Sequence, residues 1–356
     1  MKTDKALYRQ LRALPREKLW NEEVARFDQA APRERLERVS VIRAVGVAFA
    51  GAGTSAEKAG ARAWLLRLLQ DPSEKIRRYA MAALPKIGAG PKEEEALLSL
   101  LKTTSIDRER RFLGQALSKI GGTATLDAVA HEPGCLPQTE QKVKASLARR
   151  EQPSSIRLDA AIAPFASLRL HLRCRKGLEQ IVRAEAEEYI AAQGRFRMLE
   201  VRSGLLALEP TAPFSLADLY QLRCFASVGF VLGSVPNSNP AAFVETLASV
   251  IASPLSRRLL AAMTEGAIRY RLEFVSKGHQ RGAVRLVVNR AYALCPDILN
   301  DARKAPWAID IHPSANGSSV ELRPRLAPDP RLGYRQDDVP AASHPPLAAC
   351  MARLAG

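Results

Sequence analysis

Residues 267–325 change hydrophobic period twice, from two to helical spacing and back, and no single type of secondary structure can carry both patterns. Ile268, Tyr270, Leu272 and Phe274 alternate with Arg269, Arg271 and Glu273, which predicts a half-buried strand with one apolar and one charged face. The run Lys277-Gly278-His279-Gln280-Arg281-Gly282 follows as a basic loop. Val284, Val287, Val288, Ala291 and Leu294 then recur at helical spacing until Pro296 stops the helix. Two more alternating runs, 307–312 and 319–326, flank Asn316-Gly317, a dipeptide suited to the positive-φ positions of a tight hairpin. The predicted unit is β-α-β-β with arginines at its strand ends.

At 356 residues the chain has length for two or three domains, each able to bury its own core. A hydrophobic content of 47% beside 25% charged residues fits a soluble globular protein. No apolar run approaches the roughly 20 residues that span a bilayer, and the amino terminus has no signal-peptide core, so the expectation is a cytoplasmic protein with no membrane partner. Net charge is +16. Residues 1–150 hold 28 basic and 18 acidic side chains, a balance of +10, and the remainder hold 25 and 19, a balance of +6. Both halves are basic, so the excess is spread over the surface, and nucleic acid is the partner that such a field favours. A basic proteome bias would give the same balance. Cys135, Cys174, Cys224, Cys295 and Cys350 form no C-x-x-C pair and read as reduced thiols. His131, His171, His279, His312 and His344 lack metal-ligand spacing, so neither a metal nor a catalytic constellation is expected.

The first 150 residues read as helical and repetitive. Leu65, Leu66, Leu68 and Leu69 match Leu97, Leu98, Leu100 and Leu101 at a period of 32, and Tyr79, Leu84, Ile87 and Gly88 match Phe112, Leu117, Ile120 and Gly121 at 33. Each unit predicts a helix, a turn, a second helix and a glycine in the left-handed cap position. Pro85 is expected to kink its helix. The triplet Glu93-Glu94-Glu95 is expected in a helix first turn, favoured by the macrodipole. The run from Asp71-Pro72 through Ile76-Arg77 to Gly88 resembles the HEAT repeat, in which the aspartate-proline turn opens the second helix. Ser105 to Gly121 keeps Arg110, Leu117 and Ile120 without that turn. Stacking of such units implies an α-solenoid over 1–150. Arg77, Arg78, Lys86, Arg108, Arg110, Arg111 and Lys119 suggest a basic ridge, for which RNA contact, a protein-docking face and a solvated scaffold remain open.

After a linker at 151–155 the period changes. Leu168, Leu170 and Leu172 alternate with Arg169, His171 and Arg173; then come Arg175-Lys176-Gly177-Leu178-Glu179, a helix capped by Gly194, a hairpin turning at Ser203-Gly204, a helix over 216–225 and a strand over 228–232. Helices over 240–251 and 255–263 lead into the β-α-β-β unit. The run Cys174 to Glu179 resembles the start of the small ferredoxin-like domain that precedes THUMP domains, and the two helices with β-α-β-β resemble the THUMP domain itself. Leu332-Gly333-Tyr334-Arg335 and Ser343-His344-Pro345-Pro346-Leu347 resemble the junction into the catalytic domain of THUMP-containing RNA guanine-N2 methyltransferases, with Leu332 where that family tends to have arginine.

The resemblance implies a multidomain α and α+β chain: HEAT-like repeats over 1–150, a ferredoxin-like subdomain over 165–235, a THUMP-like RNA-binding domain over 236–328, and a linker and helix over 329–356. It implies the substrate-recognition portion of an S-adenosylmethionine-dependent tRNA or rRNA methyltransferase. The family's glycine-rich cofactor loop and its Asn/Asp-Pro-Pro-aromatic tetrad do not occur before Gly356, and Pro345-Pro346, between His344 and Leu347, is not that tetrad. No catalytic residue and no cofactor are therefore expected in this chain, S-adenosylmethionine being expected only with a downstream catalytic domain. A non-catalytic RNA-binding scaffold stays open as the alternative. The candidate RNA-binding residues are Lys277, His279, Arg281 and Arg285 on the loop and first turns after the strand. Arg323, Arg325, Arg331 and Arg335 leave the last strand and are expected to join them in one patch, and Arg175 and Lys176 lie in the earlier strand-to-helix turn.

Overall fold

A computed structural model describes residues 2–88, 90–131, 137–163, 168–275, 280–327, 329–333 and 344–355. The chain divides into two compact units, 1–147 and 148–356.

The first unit is helical: α1 (Lys2–Ala13), α2 (Arg16–Lys18), a π-helical stretch (Leu19–Val24), α3 (Ala25–Gln29), α4 (Pro32–Glu37), α5 (Ser40–Ala52), α6 (Ser55–Leu68), α7 (Glu74–Ile87), α8 (Pro91–Thr103), α9 (Asp107–Ile120), α10 (Thr123–His131) and α11 (Pro137–Glu151), inside which the division falls. Helix starts follow local chemistry. Pro32 and Pro91 occupy first-turn positions where the missing N–H costs nothing. Thr54 accepts from the Glu57 amide at 3.2 Å, and Glu57 accepts from the Thr54 amide at 2.6 Å. One layer runs α1–α5–α7–α9, each helix packed on the next. Leu65, Leu69, Ile76, Met81, Leu84, Leu97, Leu113 and Leu117 fill the core.

The repeat is visible in its polar joints as well as its leucines. Asp71 accepts from the Ser73 amide at 2.9 Å, and Arg77 donates to the Asp71 carbonyl at 2.8 Å. At the positions 33 later, Thr104 accepts from the Ile106 amide at 3.3 Å and Arg110 donates to the Thr104 carbonyl at 3.1 Å. A threonine hydroxyl thus makes the turn contact that the aspartate makes one unit earlier. One expectation needs correction. Gly88 has φ +86, but Gly121 has φ −57. Gly121 is required by space, because a Cβ there would lie 2.6 Å from the Leu117 carbonyl oxygen. Glu93 and Glu94 lie in the first turn of α8 as expected, Glu93 accepting from the Gly90 amide at 2.7 Å, and Glu94 also serves a later helix. It is buried and accepts from the Gly122 amide at 2.7 Å, the Thr125 amide at 3.0 Å and the Thr125 hydroxyl at 2.6 Å, capping α10.

The second unit carries β1 (Ser155–Ile156), β2 (Leu170–Arg173), α12 (Glu179–Gln193), β3 (Phe196–Arg202), β4 (Leu205–Pro210), α13 (Leu216–Leu219), β5 (Ser227–Pro236), α14 (Pro240–Ile251), α15 (Pro254–Met263), β6 (Thr264–Glu265), β7 (Arg269–Phe274), α16 (Arg281–Leu294), β8 (Leu299–Asn300), β9 (Trp307–Ser314), β10 (Gly317–Pro324), a 3-10 turn (Pro330–Leu332) and α17 (Pro345–Ala355). The expected helix over 216–225 is a single turn, closed by the Ser215–Asp218 capping box. The hairpin loop is Ala315-Asn316, one residue earlier than expected, since Ser314 pairs with Gly317. Gly317 has φ +147, and a Cβ on it would lie 2.3 Å from the Val235 carbonyl oxygen.

Eight strands form one sheet in the order β3-β4-β2-β5-β10-β9-β7-β8, so the strands of 165–235 and those of 236–328 are joined through β5 and β10. β7 and β9 run parallel, with α16 in the connection, as a β-α-β unit requires. Leu170, Leu172, Leu206, Leu208, Phe230, Tyr270, Ile309 and Leu322 point to one face, packed in a single core with Val182, Ala186, Leu247, Ile251 and Val287 from α12, α14 and α16.

Candidate nucleic-acid interface

Alternation puts the charged residues of these strands on the opposite sheet face. Much of that face is neutralised internally. Arg173 on β2 donates to Glu321 on β10 at 2.5 and 3.0 Å, His171 lies 2.7 Å from the same carboxylate, Ser319 3.2 Å and His312 3.5 Å. Burial pushes the Glu321 carboxyl up, but His171 and Arg173 outweigh it and hold the group at about 2. Burial, countered in part by Glu321, pushes His312 below the usual imidazole range. This convergence was not legible from spacing, because it joins β2 to the β9–β10 hairpin, which lies more than 100 positions later.

A second network consumes several of the expected RNA-binding arginines. Arg323 donates to Asp310 at 2.5 Å and to Glu273 at 3.2 Å. Arg325 donates to the Ala305 carbonyl at 3.0 Å and lies 3.8 Å from Glu273. Arg331 has a side chain only 6% exposed. It is paired with Asp329 at 2.7 Å, donates to the Phe225 carbonyl at 2.7 Å and lies over the Phe225 ring at 4.0 Å. Its guanidinium fixes the 3-10 turn to the start of β5. The charged face of β7 also differs from a solvated one, since Arg269 is buried and donates to buried Asp301 at 3.1 Å.

Register separates the remaining candidates. Because β9 is parallel to β7, with Tyr270 opposite Trp307 and Phe274 opposite Ile311, the segment after Phe274 leaves one end of the sheet. The Arg325 amide binds the Pro306 carbonyl, before Trp307, at the other end. Those ends are on the order of 15–20 Å apart at about 3.3 Å per residue. Although the Arg325 side chain reaches within 3.8 Å of Glu273, its backbone leaves the sheet end opposite to the one that leads to Arg281 and Arg285. Both are exposed, on the first turns of α16, and neither has an acidic partner among the described residues. Lys277, His279 and Arg335 lie outside the described residues.

Arg175 and Lys176 are exposed in the turn after β2, at the sheet end shared with Arg325, since β2 and β10 both run antiparallel to β5. Their turn is closed by Glu179, which accepts from the Gly177 amide at 2.9 Å and the Gly204 amide at 2.6 Å. A carboxylate thus takes the amides that a phosphate-binding turn would leave open. These residues do not make a phosphate or S-adenosylmethionine cradle there.

Among the described residues no helix is long and apolar enough to cross a membrane. No protein-family model and no curated protein matches the sequence. Solved structures similar to the chain include a predicted N6-adenine-specific DNA methylase from Listeria monocytogenes, 17% identical with a TM-score of 0.37, the match covering 52% of this chain and 48% of that one. TrmN from Thermus thermophilus is 15% identical with a TM-score of 0.37, the match covering 53% of this chain and 54% of that one. The match thus spans about half the length of each of these two proteins.

Proposed function

We propose that the chain is the RNA-binding, substrate-recognition portion of a THUMP-type tRNA or rRNA guanine-N2 methyltransferase, with a HEAT-like array in residues 1–150. Methyl transfer and S-adenosylmethionine belong, in this reading, to a catalytic domain outside this chain. The motifs around Cys174–Glu179, residues 236–328 and the segment from Leu332 to Leu347 support it at the level of sequence.

The observation that carries the reading is the pair Arg281 and Arg285. Most of the expected arginines beyond β10 are spent on carboxylates and carbonyls, whereas these two project from the amino end of a 14-residue helix without acidic partners among the described residues. The helix dipole adds positive potential at the same end. Cations and amides so placed hold phosphates without reading bases.

Replacing both by glutamine tests this with labelled tRNA and an rRNA fragment in a salt series. Affinity is expected to fall about five- to tenfold, with the log–log salt slope reduced by about 1–2 and similar losses for both RNAs. Unchanged affinity and slope would remove this end of α16 from the interface.

A further inference from the structure

The helical unit offers a second cationic surface, and it arises from the repeat. Lys75, Tyr79 and Lys86 lie along α7, and Arg108, Phe112 and Lys119 occupy the positions 33 later along α9. The four cations are exposed and the two rings half-buried, so each helix carries cation, aromatic and cation in the same order, with Lys75 donating to the Leu36 carbonyl at 2.8 Å and the Arg78 guanidinium 5.2 Å over one face of Phe112. Spacings of four, seven and eleven place such residues on one helix face. α5, α7 and α9 pack in sequence, and α5 adds Arg43, whose guanidinium lies 4.2 Å over the Tyr8 ring of α1.

Three members of the basic ridge expected from sequence are removed by internal partners. Arg77 is bound to Glu109, Arg78 to Glu74, and Arg110 to the Thr104 carbonyl. The same bonds take Glu74 and Glu109 out of play as compensating charges. Burial, then Arg43 and Lys119, push the Lys86 ammonium below the usual lysine range. The charges acting on Lys86 are both positive.

We propose that the exposed face of α5, α7 and α9 is a second RNA-binding surface, on which Arg43, Lys86 and Lys119 bind backbone phosphates beside the Tyr79 and Phe112 rings. Adjacent helices stand about 8–10 Å apart, so the cations form a row across the helices rather than one anion pocket. A chain of phosphates suits such a row better than a single small anion. The rings between cations favour nucleic acid over an acidic protein segment, because bases and sugars offer flat partners that carboxylates lack. This surface is independent of the reading given to Arg281 and Arg285.

The test uses the full chain, a labelled single-stranded RNA and a labelled tRNA. R43Q/K86Q/K119Q is compared with K58Q/K92Q/K102Q on α6 and α8, which removes equal charge from other helices. The first variant is expected to lose about tenfold in affinity with a salt slope shallower by about 2, and the second less than about twofold. The loss should persist in the R281Q/R285Q background, which separates this surface from the α16 end. Unaltered thermal unfolding would show that the variants remain folded. Equal losses in the two triple variants would mean a net-charge effect, and an unchanged first variant would mean no surface; either overturns the proposal. So would tighter binding of labelled poly-glutamate than of RNA at equal charge, which would assign the face to an acidic protein.

Discussion

Arg173 on β2 and Glu321 on β10 meet across the intervening strand β5, with Nη2 to Oε1 at 2.5 Å and Nε to Oε2 at 3.0 Å. The bridge passes over Gly229, where a Cβ would lie 2.6 Å from the Glu321 carboxylate. The strand between the two partners is thus kept bare at the crossing point. The bridge adds a side-chain tie to the β5–β10 pairing that joins the strands of 165–235 to those of 236–328.

The pair makes stability depend on acid pH. Glu321 is held at about 2 in the folded protein, below the roughly 4.3 of an unfolded glutamate. Its contribution is therefore complete above the unfolded value and is lost as pH falls toward 2, amounting to roughly 3 kcal/mol. Urea denaturation should show this loss between pH 5 and pH 2 in the native chain. E321Q should be less stable at pH 7 and should lack this share of the pH dependence, and a variant that keeps the full slope would refute the assignment.

Arg77 joins two repeats by spanning the carbonyls of its own turn and Glu109 of the next unit, at 2.8 Å to Asp71 and 2.5 Å to the carboxylate. Glu109 is fully buried, so R77M would strand a charge with only the Thr104 hydroxyl, 2.6 Å away. The expected cost is about 3 kcal/mol. Arg110 holds the Thr104 carbonyl at the same point of the next unit, and R110M should cost about 1 kcal/mol. Parallel denaturant titrations compare the two; equal costs would contradict the role given to Glu109.

Glycine substitutions separate two reasons for one residue type. G88A meets open space but must adopt φ +86, with an expected cost of about 1 kcal/mol from backbone strain. G121A has ordinary φ but would place its Cβ 2.6 Å from the Leu117 oxygen and 2.7 Å from the Thr125 hydroxyl. Thr125 also binds Glu94, so relief of the clash disturbs a buried carboxylate, at about 2–3 kcal/mol. Thermal unfolding of both variants should rank G121A as the more damaging.

Much of this fold follows from local pattern. Alternation around Tyr270 and Leu172 gives strands, helical spacing from Val284 gives α16, and the leucine period gives the helix pairs. Pairing between distant strands is different, because no residue near Val231 announces that its partner is Glu321. For the same reason the candidate interface was legible only in part. Composition indicates abundant arginine, but whether an arginine meets phosphate or carboxylate depends on partners such as Asp310 and Asp329, which only the folded chain brings near.

Arg331 gives the sharpest separation of these roles. The Arg331 side chain lies over Phe225 and Tyr220 at 4.0 and 5.1 Å while it is bound to Asp329 and to the Phe225 carbonyl. R331Q should remove the stacking and leave buried acceptors short of donors, costing about 2–3 kcal/mol of stability. Burial, with Asp329 adding to it and the Arg331 charge opposing it, places the Tyr220 hydroxyl at about 12; loss of that charge alone would push it higher, so a spectroscopic titration that moves down toward 10 in R331Q reports loss of burial at this corner. Measured below its unfolding transition, R331Q should bind tRNA within about twofold of the native chain, whereas R281Q/R285Q should weaken binding about five- to tenfold at unchanged stability. A large loss of affinity in folded R331Q, with Tyr220 still titrating at about 12 or higher, would instead make Arg331 a contact residue and move the interface to the other end of the sheet.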